Sequence, residues 1–228
     1  MSSMNNKSVA SEVREAVLKS RDRFWHPEDF AGSAEAVAKA LSRLTCEGEL
    51  RRVRRGLYWR GTTTHLGMAP PPPDRFVHEI VDEHGIGPAN WSAGLALGLS
   101  SQVPRWETIA VPGRAPRNPG NVRFVSRAAS TKRRDERLRY SEVALLEVLR
   151  DWDTIVEVQD DVALERIADL AVTGTLRLDR VVRASKTEPP RVRERLRRLL
   201  TALGRPEHAA AVRPARSESA LHDPVLAV

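Results

Sequence analysis

The stretch of sequence that decides the fold is SAEAVAKALSRL at residues 33–44, followed by GELRRVRRGLY at residues 48–58. Apolar side chains recur at helical spacing in the first segment, at Val37, Leu41 and Leu44. Ser33 is a favourable N-cap because its hydroxyl can accept a hydrogen bond from a free backbone N–H of the first turn. Gly48 is suited to end the helix. The segment therefore predicts a helix with one buried stripe.

A β-hairpin is predicted directly after this helix, and two further helices before it. Residues 49–53 and 57–60 are short β-rich runs, and Gly56 between them is free to take the positive φ of a tight turn. Upstream, residues 9–20 have apolar residues at helical spacing, and residues 26–30 fit a short helix that starts at a proline. Three helices and a hairpin in this order are the layout of a winged helix-turn-helix.

The predicted helix and hairpin both place positive charge where DNA would lie. With the apolar stripe buried, Lys39 and Arg43 face outward, as residues that enter a major groove must. The helix N-terminus at Ser33 can offer backbone N–H groups to a phosphate. The hairpin has a compact cationic tip that can lie on the phosphate backbone or enter a minor groove, made by Arg51, Arg52, Arg54, Arg55 and Gly56. These residues are the predicted DNA contacts, and the alternative is an ordinary solvated surface.

A second basic block follows later in the chain. The net charge of the protein is +7, and residues 105–139 contain ten Lys/Arg against three Asp/Glu. Clustered positive charge suits a polyanion. A second DNA contact is predicted here, with a solvated hairpin tip as an equal alternative, at Arg114, Arg117, Lys132, Arg133 and Arg134. Residues 151–169 are instead acidic and would suit a basic protein partner.

The proline run at residues 70–73 predicts a domain boundary, since four prolines cannot continue a helix or a central strand. We expect a winged helix-turn-helix at residues 1–69 and a mixed α/β domain ending in helices at residues 74–204, so the predicted fold class is α+β. Residues 205–228 lack sustained periodicity and predict a disordered tail.

Composition argues against several other classes of protein. No run approaches the roughly 18 apolar residues that cross a membrane, and the N-terminal segment has no apolar core of a secretory signal. Cys46 is the only cysteine, so neither an internal disulfide nor a cysteine-based metal site is expected. No catalytic constellation, metal site or cofactor motif is recognisable. The expectation is a cytoplasmic, non-enzymatic protein without a membrane partner.

The sequence also resembles a known family. FAGSAEAVAKALSRL at residues 30–44 and EGELRRVRRGLY at residues 47–58 resemble the winged-helix domain of AbiEi-like antitoxins of type IV toxin–antitoxin systems, which include the mycobacterial antitoxins paired with MenT-type toxins. The resemblance continues through GLSSQVP at residues 98–104 and into a β-hairpin expected at residues 108–125.

The resemblance implies a transcriptional autorepressor that binds inverted repeats in its operator, as a dimer on DNA, and neutralises a toxin of nucleotidyltransferase fold. It implies that Ser33, Lys39 and Arg43 face the groove and that the hairpin is the wing. Two alternatives remain. One is a stand-alone winged-helix regulator whose C-terminal domain dimerises or binds a small ligand. The other is a nucleic-acid-processing enzyme, which would need a cluster of acids or histidines.

Overall fold

A computed structural model describes residues 8–65, 67–81, 84–116, 122–215 and 226. The chain divides into two units, Met1–Glu79 and Ile80–Val228. Helices and short strands occur in both, and the fold class is α+β, as predicted.

The elements of the first unit are, in order, α1 (Val9–Lys19), β1 (Arg23–Trp25), a 3₁₀ turn (Pro27–Asp29), α2 (Ala34–Cys46), β2 (Arg51–Arg54), β3 (Leu57–Arg60), β4 (Thr63–Thr64), β5 (Gly67–Met68) and α3 (Pro73–Ile80). The strands β1, β2 and β3 form an antiparallel sheet with β3 in the centre. This order and pairing is that of a winged helix-turn-helix. The second helix of the motif is reduced to the single 3₁₀ turn.

The core of the first unit lies between its helices and the sheet. Its buried residues come from α1, α2 and all three strands or their ends, including Val13, Val17, Trp25, Val37, Leu41, Leu44, Leu50 and Tyr58. Ser33 caps α2 as predicted, because its hydroxyl oxygen accepts the N–H of Ala36 at 3.3 Å. The predicted apolar stripe of this helix is confirmed as its buried face.

The strand β1 was not expected from the sequence. Its register places Phe24 opposite Trp59, and the two rings pack with their centroids 4.7 Å apart. A three-residue strand has too few residues to show a period of two, so only its pairing with β3 reveals it.

The boundary between the units lies later than the proline run at residues 70–73. The helix α3 begins at the last of these prolines and contacts the rest of the first unit. Arg75 lies over the ring of Trp59, and the Glu79 carboxylate is 2.6 Å from the imidazole of His26. Because these contacts join α3 to the winged helix, the division falls after Glu79.

The elements of the second unit are β6 (Gly87–Pro88), α4 (Trp91–Ala96), β7 (Glu107–Val111), β8 (Val122–Ser126), α5 (Lys132–Asp135), α6 (Tyr140–Arg150), α7 (Trp152–Ile155), α8 (Asp160–Val172), α9 (Leu178–Ala184), α10 (Pro190–Ala202) and α11 (Pro206–Ala211). The core forms around α6, whose apolar residues from Val143 to Leu149 are all fully buried. The expectation that this part of the chain ends in helices is confirmed.

Two expectations about the second unit are wrong. The strands β7 and β8 pair in parallel and therefore do not form the expected hairpin. The predicted disordered tail contains the helix α11, and Ala209, Val212 and Ala215 are buried. These few apolar side chains give the segment enough burial to pack, although they are too few to show a periodicity. Residues 216–225, 227 and 228 of the predicted tail lie outside the described residues.

The interior of the second unit contains charged side chains. Arg133 is fully buried and donates to Glu188 at 2.6 and 2.8 Å and to Glu147 at 2.7 Å. Burial by itself would raise the pKa of Glu147, but the hydrogen bonds of Arg127 and the charge of Arg133 outweigh it and hold that pKa below its ordinary value. The predicted role of Arg133 as a DNA contact is therefore wrong, because its donors are used inside the fold.

We expect Arg133→Met to lower the free energy of unfolding by about 3–5 kcal/mol, because it leaves two buried carboxylates short of a partner. Arg134→Met is the matched control, since Arg134 is the exposed neighbour of Arg133 and surface substitutions stay within about 0.5 kcal/mol. Urea unfolding followed by circular dichroism measures both variants. Equal losses would show that the buried network contributes no more than the surface.

Candidate nucleic-acid interface

The exposed face of α2 is the first part of the candidate interface. Lys39 and Arg43 lie one turn apart and are exposed, and 82% of the Arg43 side chain is accessible. Lys39 has no hydrogen-bond or ion-pair partner among the described residues. The structure thus places the predicted groove-facing residues on one solvent-exposed face.

A carboxylate at the end of α2 fixes the Arg43 side chain. Glu47 accepts the Nε–H of Arg43 at 3.2 Å through one oxygen and a hydrogen bond from Arg14 of α1 through the other. The hydrogen bond of Arg14 and the charges of both arginines hold the pKa of Glu47 below its ordinary value. Glu47 therefore stays ionised at neutral pH and orients Arg43. Sequence analysis missed it, since Arg14 and Glu47 are 33 residues apart.

The hairpin of β2 and β3 forms the wing. Arg54 pairs with Leu57, so Arg55 and Gly56 make the two-residue turn, where Gly56 has a φ of +76° and open space at its Cβ position. A β-bulge between Arg52 and Arg54 shifts the register of β2. Since β2 is also the edge of the sheet, its arginines all reach solvent.

The wing arginines are free of carboxylates. Among the described residues none of the four has a hydrogen-bond or ion-pair partner: Arg51, Arg52, Arg54 and Arg55. Arg60 of β3 differs, because it donates to the Glu49 side chain at 3.0 Å and to the Glu49 carbonyl oxygen at 3.1 Å. Arg60 is therefore a structural arginine, whereas the four wing arginines are available to an external anion.

The sequence analysis did not include Arg23. It lies on β1 opposite Arg60, is exposed, and places its guanidinium carbon 4.0 Å from the centroid of the Trp25 ring. A cation over an aromatic face keeps its charge without a carboxylate. A strand predicted at residues 23–25, RFW, would have revealed Arg23.

The residues of the predicted second DNA contact differ in exposure and pairing. Besides the buried Arg133, Lys132 is 3.1 Å from the Asp135 carboxylate. Arg114 and Arg134 are exposed. Arg117 lies outside the described residues.

The acidic segment at residues 151–169 is partly used within the fold. Asp153 accepts from Arg191 and Arg195 at 2.8 and 2.7 Å. Glu157 accepts from the backbone N–H of Ser101 and from the side chains of Ser100, Ser101 and Gln102, and these bonds lower its pKa to about 2. The exposed acids on α8 are Asp160, Asp161, Glu165 and Asp169.

Among the described residues, no helix has the length and apolar character needed to span a membrane. No three side chains of His, Cys, Asp or Glu in that part of the chain are grouped as metal ligands would be.

No protein-family model matches the sequence, and no curated protein matches it. The structure is similar to the crystal structure of the RV2827C protein from Mycobacterium tuberculosis, with a TM-score of 0.48 and 17% sequence identity over 88% of this chain and 78% of that chain. Similarity at this level says nothing about function.

Proposed function

We propose that this protein binds duplex DNA through its first unit and acts as a sequence-specific transcriptional repressor. The observation that carries the proposal is the wing, where four exposed arginines lack any carboxylate partner among the described residues. In a winged helix-turn-helix, such a wing can lie on the DNA backbone while the helix enters the major groove.

The lack of a carboxylate partner among the described residues favours binding of the wing arginines to phosphates. An arginine that already bonds a carboxylate must give up that bond before it can bind a phosphate, whereas the wing arginines lose only water and counterions. Release of counterions from the duplex then drives binding and makes the affinity depend on salt. The wing is therefore suited to supply affinity for any sequence.

The arrangement of Arg43 favours a role in specificity. Glu47 takes the Nε–H of Arg43, and the exposed terminal nitrogens of the same guanidinium keep donors for a base edge. Arginine recognises guanine by donating to O6 and N7 together. A side chain fixed through Nε loses less conformational freedom in making that contact than a free one.

The resemblance to AbiEi-like antitoxins supports a more specific proposal. Under it the protein represses its own operon from inverted repeats, as a dimer on DNA, and neutralises a toxin of nucleotidyltransferase fold. The alternative is a stand-alone regulator whose second unit dimerises or binds a small ligand. The gene next to that of this protein separates the two.

Replacing the four wing arginines by Gln should weaken binding to every duplex. The slope of log affinity against log salt should become shallower by about 0.9 for each lost phosphate contact. Fluorescence anisotropy with random-sequence DNA over a salt series measures this slope.

The matched control removes four exposed cations of the second unit that are not predicted DNA contacts, with Gln at Arg137, Lys186, Arg205 and Arg213. Both variants should unfold like the wild type, because surface substitutions change stability by no more than about 0.5 kcal/mol each. An equal change of slope in the control would mean that overall charge, and not the wing, governs binding.

Arg43→Ala should reduce discrimination between the DNA upstream of the protein's own gene and random DNA by about 1–3 kcal/mol, or about 5- to 150-fold. Glu47→Gln should also reduce discrimination while binding to random DNA stays equal or becomes tighter, because a negative charge is removed. Competition binding with the two duplexes measures the ratio.

The control for Glu47 is Glu35→Gln, which removes an exposed acid from the first turn of the same helix. This variant should keep the wild-type discrimination. If Glu47→Gln and Glu35→Gln strengthen binding to both duplexes alike, Glu47 acts through its charge and does not orient Arg43.

The antitoxin proposal predicts that the full chain relieves growth arrest by the neighbouring toxin. The variant with Gln at the four wing positions should relieve it equally well and yet fail to repress a reporter promoter, because toxin neutralisation would use the second unit. Growth and reporter assays in the same strain test both. Failure of the wild type to relieve the arrest would favour the stand-alone regulator.

A further inference from the structure

The second unit has a cluster of two arginines around one tryptophan. Trp106 directly precedes β7, and Arg123 lies near the start of the neighbouring strand β8, paired with Thr108. The guanidinium carbons of Arg105 and Arg123 are 5.2 and 5.5 Å from the centroid of the Trp106 ring. Parallel pairing of the strands thus brings Arg123 to a ring that is distant in sequence.

No carboxylate neutralises this cluster within the described ranges. Neither Arg105 nor Arg123 has a hydrogen-bond or ion-pair partner there, and both are exposed. The nearest acid in sequence, Glu107, accepts the hydroxyl of Tyr140 at 2.7 Å. Because both guanidinium carbons lie close to the same ring centroid, the distance between them is at most about 10.7 Å. Two like charges are therefore held close without an anion.

The chemistry of the cluster fits a phosphate backbone. A guanidinium over an aromatic face is held in place and keeps its N–H groups at the ring edge free to donate, and these groups match phosphate oxygens in a bidentate manner. A duplex has about one negative charge per 1.7 Å of its axis. Two guanidiniums whose carbons are at most about 10.7 Å apart can face more than one phosphate at once.

We infer that Arg105, Trp106 and Arg123 form a surface of the second unit that contacts the phosphate backbone of duplex nucleic acid. The wing and α2 belong to the first unit and this surface to the second, so the inference goes beyond the proposed function and does not depend on it. It differs from the contact predicted from sequence, because Arg133 is buried and Lys132 is paired.

The test uses the full chain and a random-sequence duplex. With Gln at Arg105 and Arg123, the slope of log affinity against log salt should fall by about 1.8, the value for two lost phosphate contacts. The matched control has Gln at Arg205 and Arg213, which are exposed and without an ion-pair partner among the described residues. It removes the same charge and should keep the wild-type slope. Trp106→Leu, with thermal unfolding as a check, should weaken binding although both cations remain.

The same measurements with Gln at the four wing positions separate this inference from the proposed function. If the Arg105/Arg123 variant loses slope and the wing variant does not, the inference stands and the proposed function fails. If only the wing variant loses slope, the inference is overturned. It is also overturned if the Arg205/Arg213 control loses as much, or if poly-glutamate binds through Arg105 and Arg123 more tightly than the duplex at equal salt.

Discussion

The ion pair between Arg133 and Glu188 lies in the interior of the second unit, with both side chains almost completely inaccessible to water. A buried guanidinium must satisfy its donors within the protein, and here two carboxylates from α6 and the chain before α10 do so. The contact joins α5 to residues that are 14 and 55 positions further along the chain. Arg127 and Arg150 complete the same network at its edge.

The other arginines also differ in whether a carboxylate of the protein satisfies their donors. Arg177 meets the buried carboxylate of Glu142, and Arg60 meets Glu49, so both are committed to the fold. In the part of the chain that the structure describes, no carboxylate pairs with the wing arginines; β2 is an edge strand whose own side chains are mostly arginine. Positive charge is therefore neutralised inside the protein wherever an acid is packed beside it, and it remains available elsewhere.

Aromatic rings provide an intermediate case at Arg23, Arg105 and Arg123. A ring holds the guanidinium in place and leaves its charge uncompensated, so the cation is ordered and still free to meet an anion. This combination favours recognition, because an ordered side chain loses less entropy when it binds. The proposed roles of the wing and of the Arg105 cluster depend on arginines without a carboxylate partner among the described residues. Arg43 instead bonds Glu47 through Nε and keeps its terminal nitrogens for a base edge.

Local sequence determined the parts of the fold that short-range contacts stabilise. The stripe of α2, the Ser33 cap and the turn at Gly56 follow from residues at most a few positions apart, as do the exposed cations of α2 and the wing. Tertiary structure alone decided the pairing of β1 with β3, the parallel pairing of β7 with β8, the burial of Arg133 and the link from Arg14 through Glu47 to Arg43. An arginine has the same charge whether it is paired or free, and its partner is chosen by packing between residues that are distant in the chain.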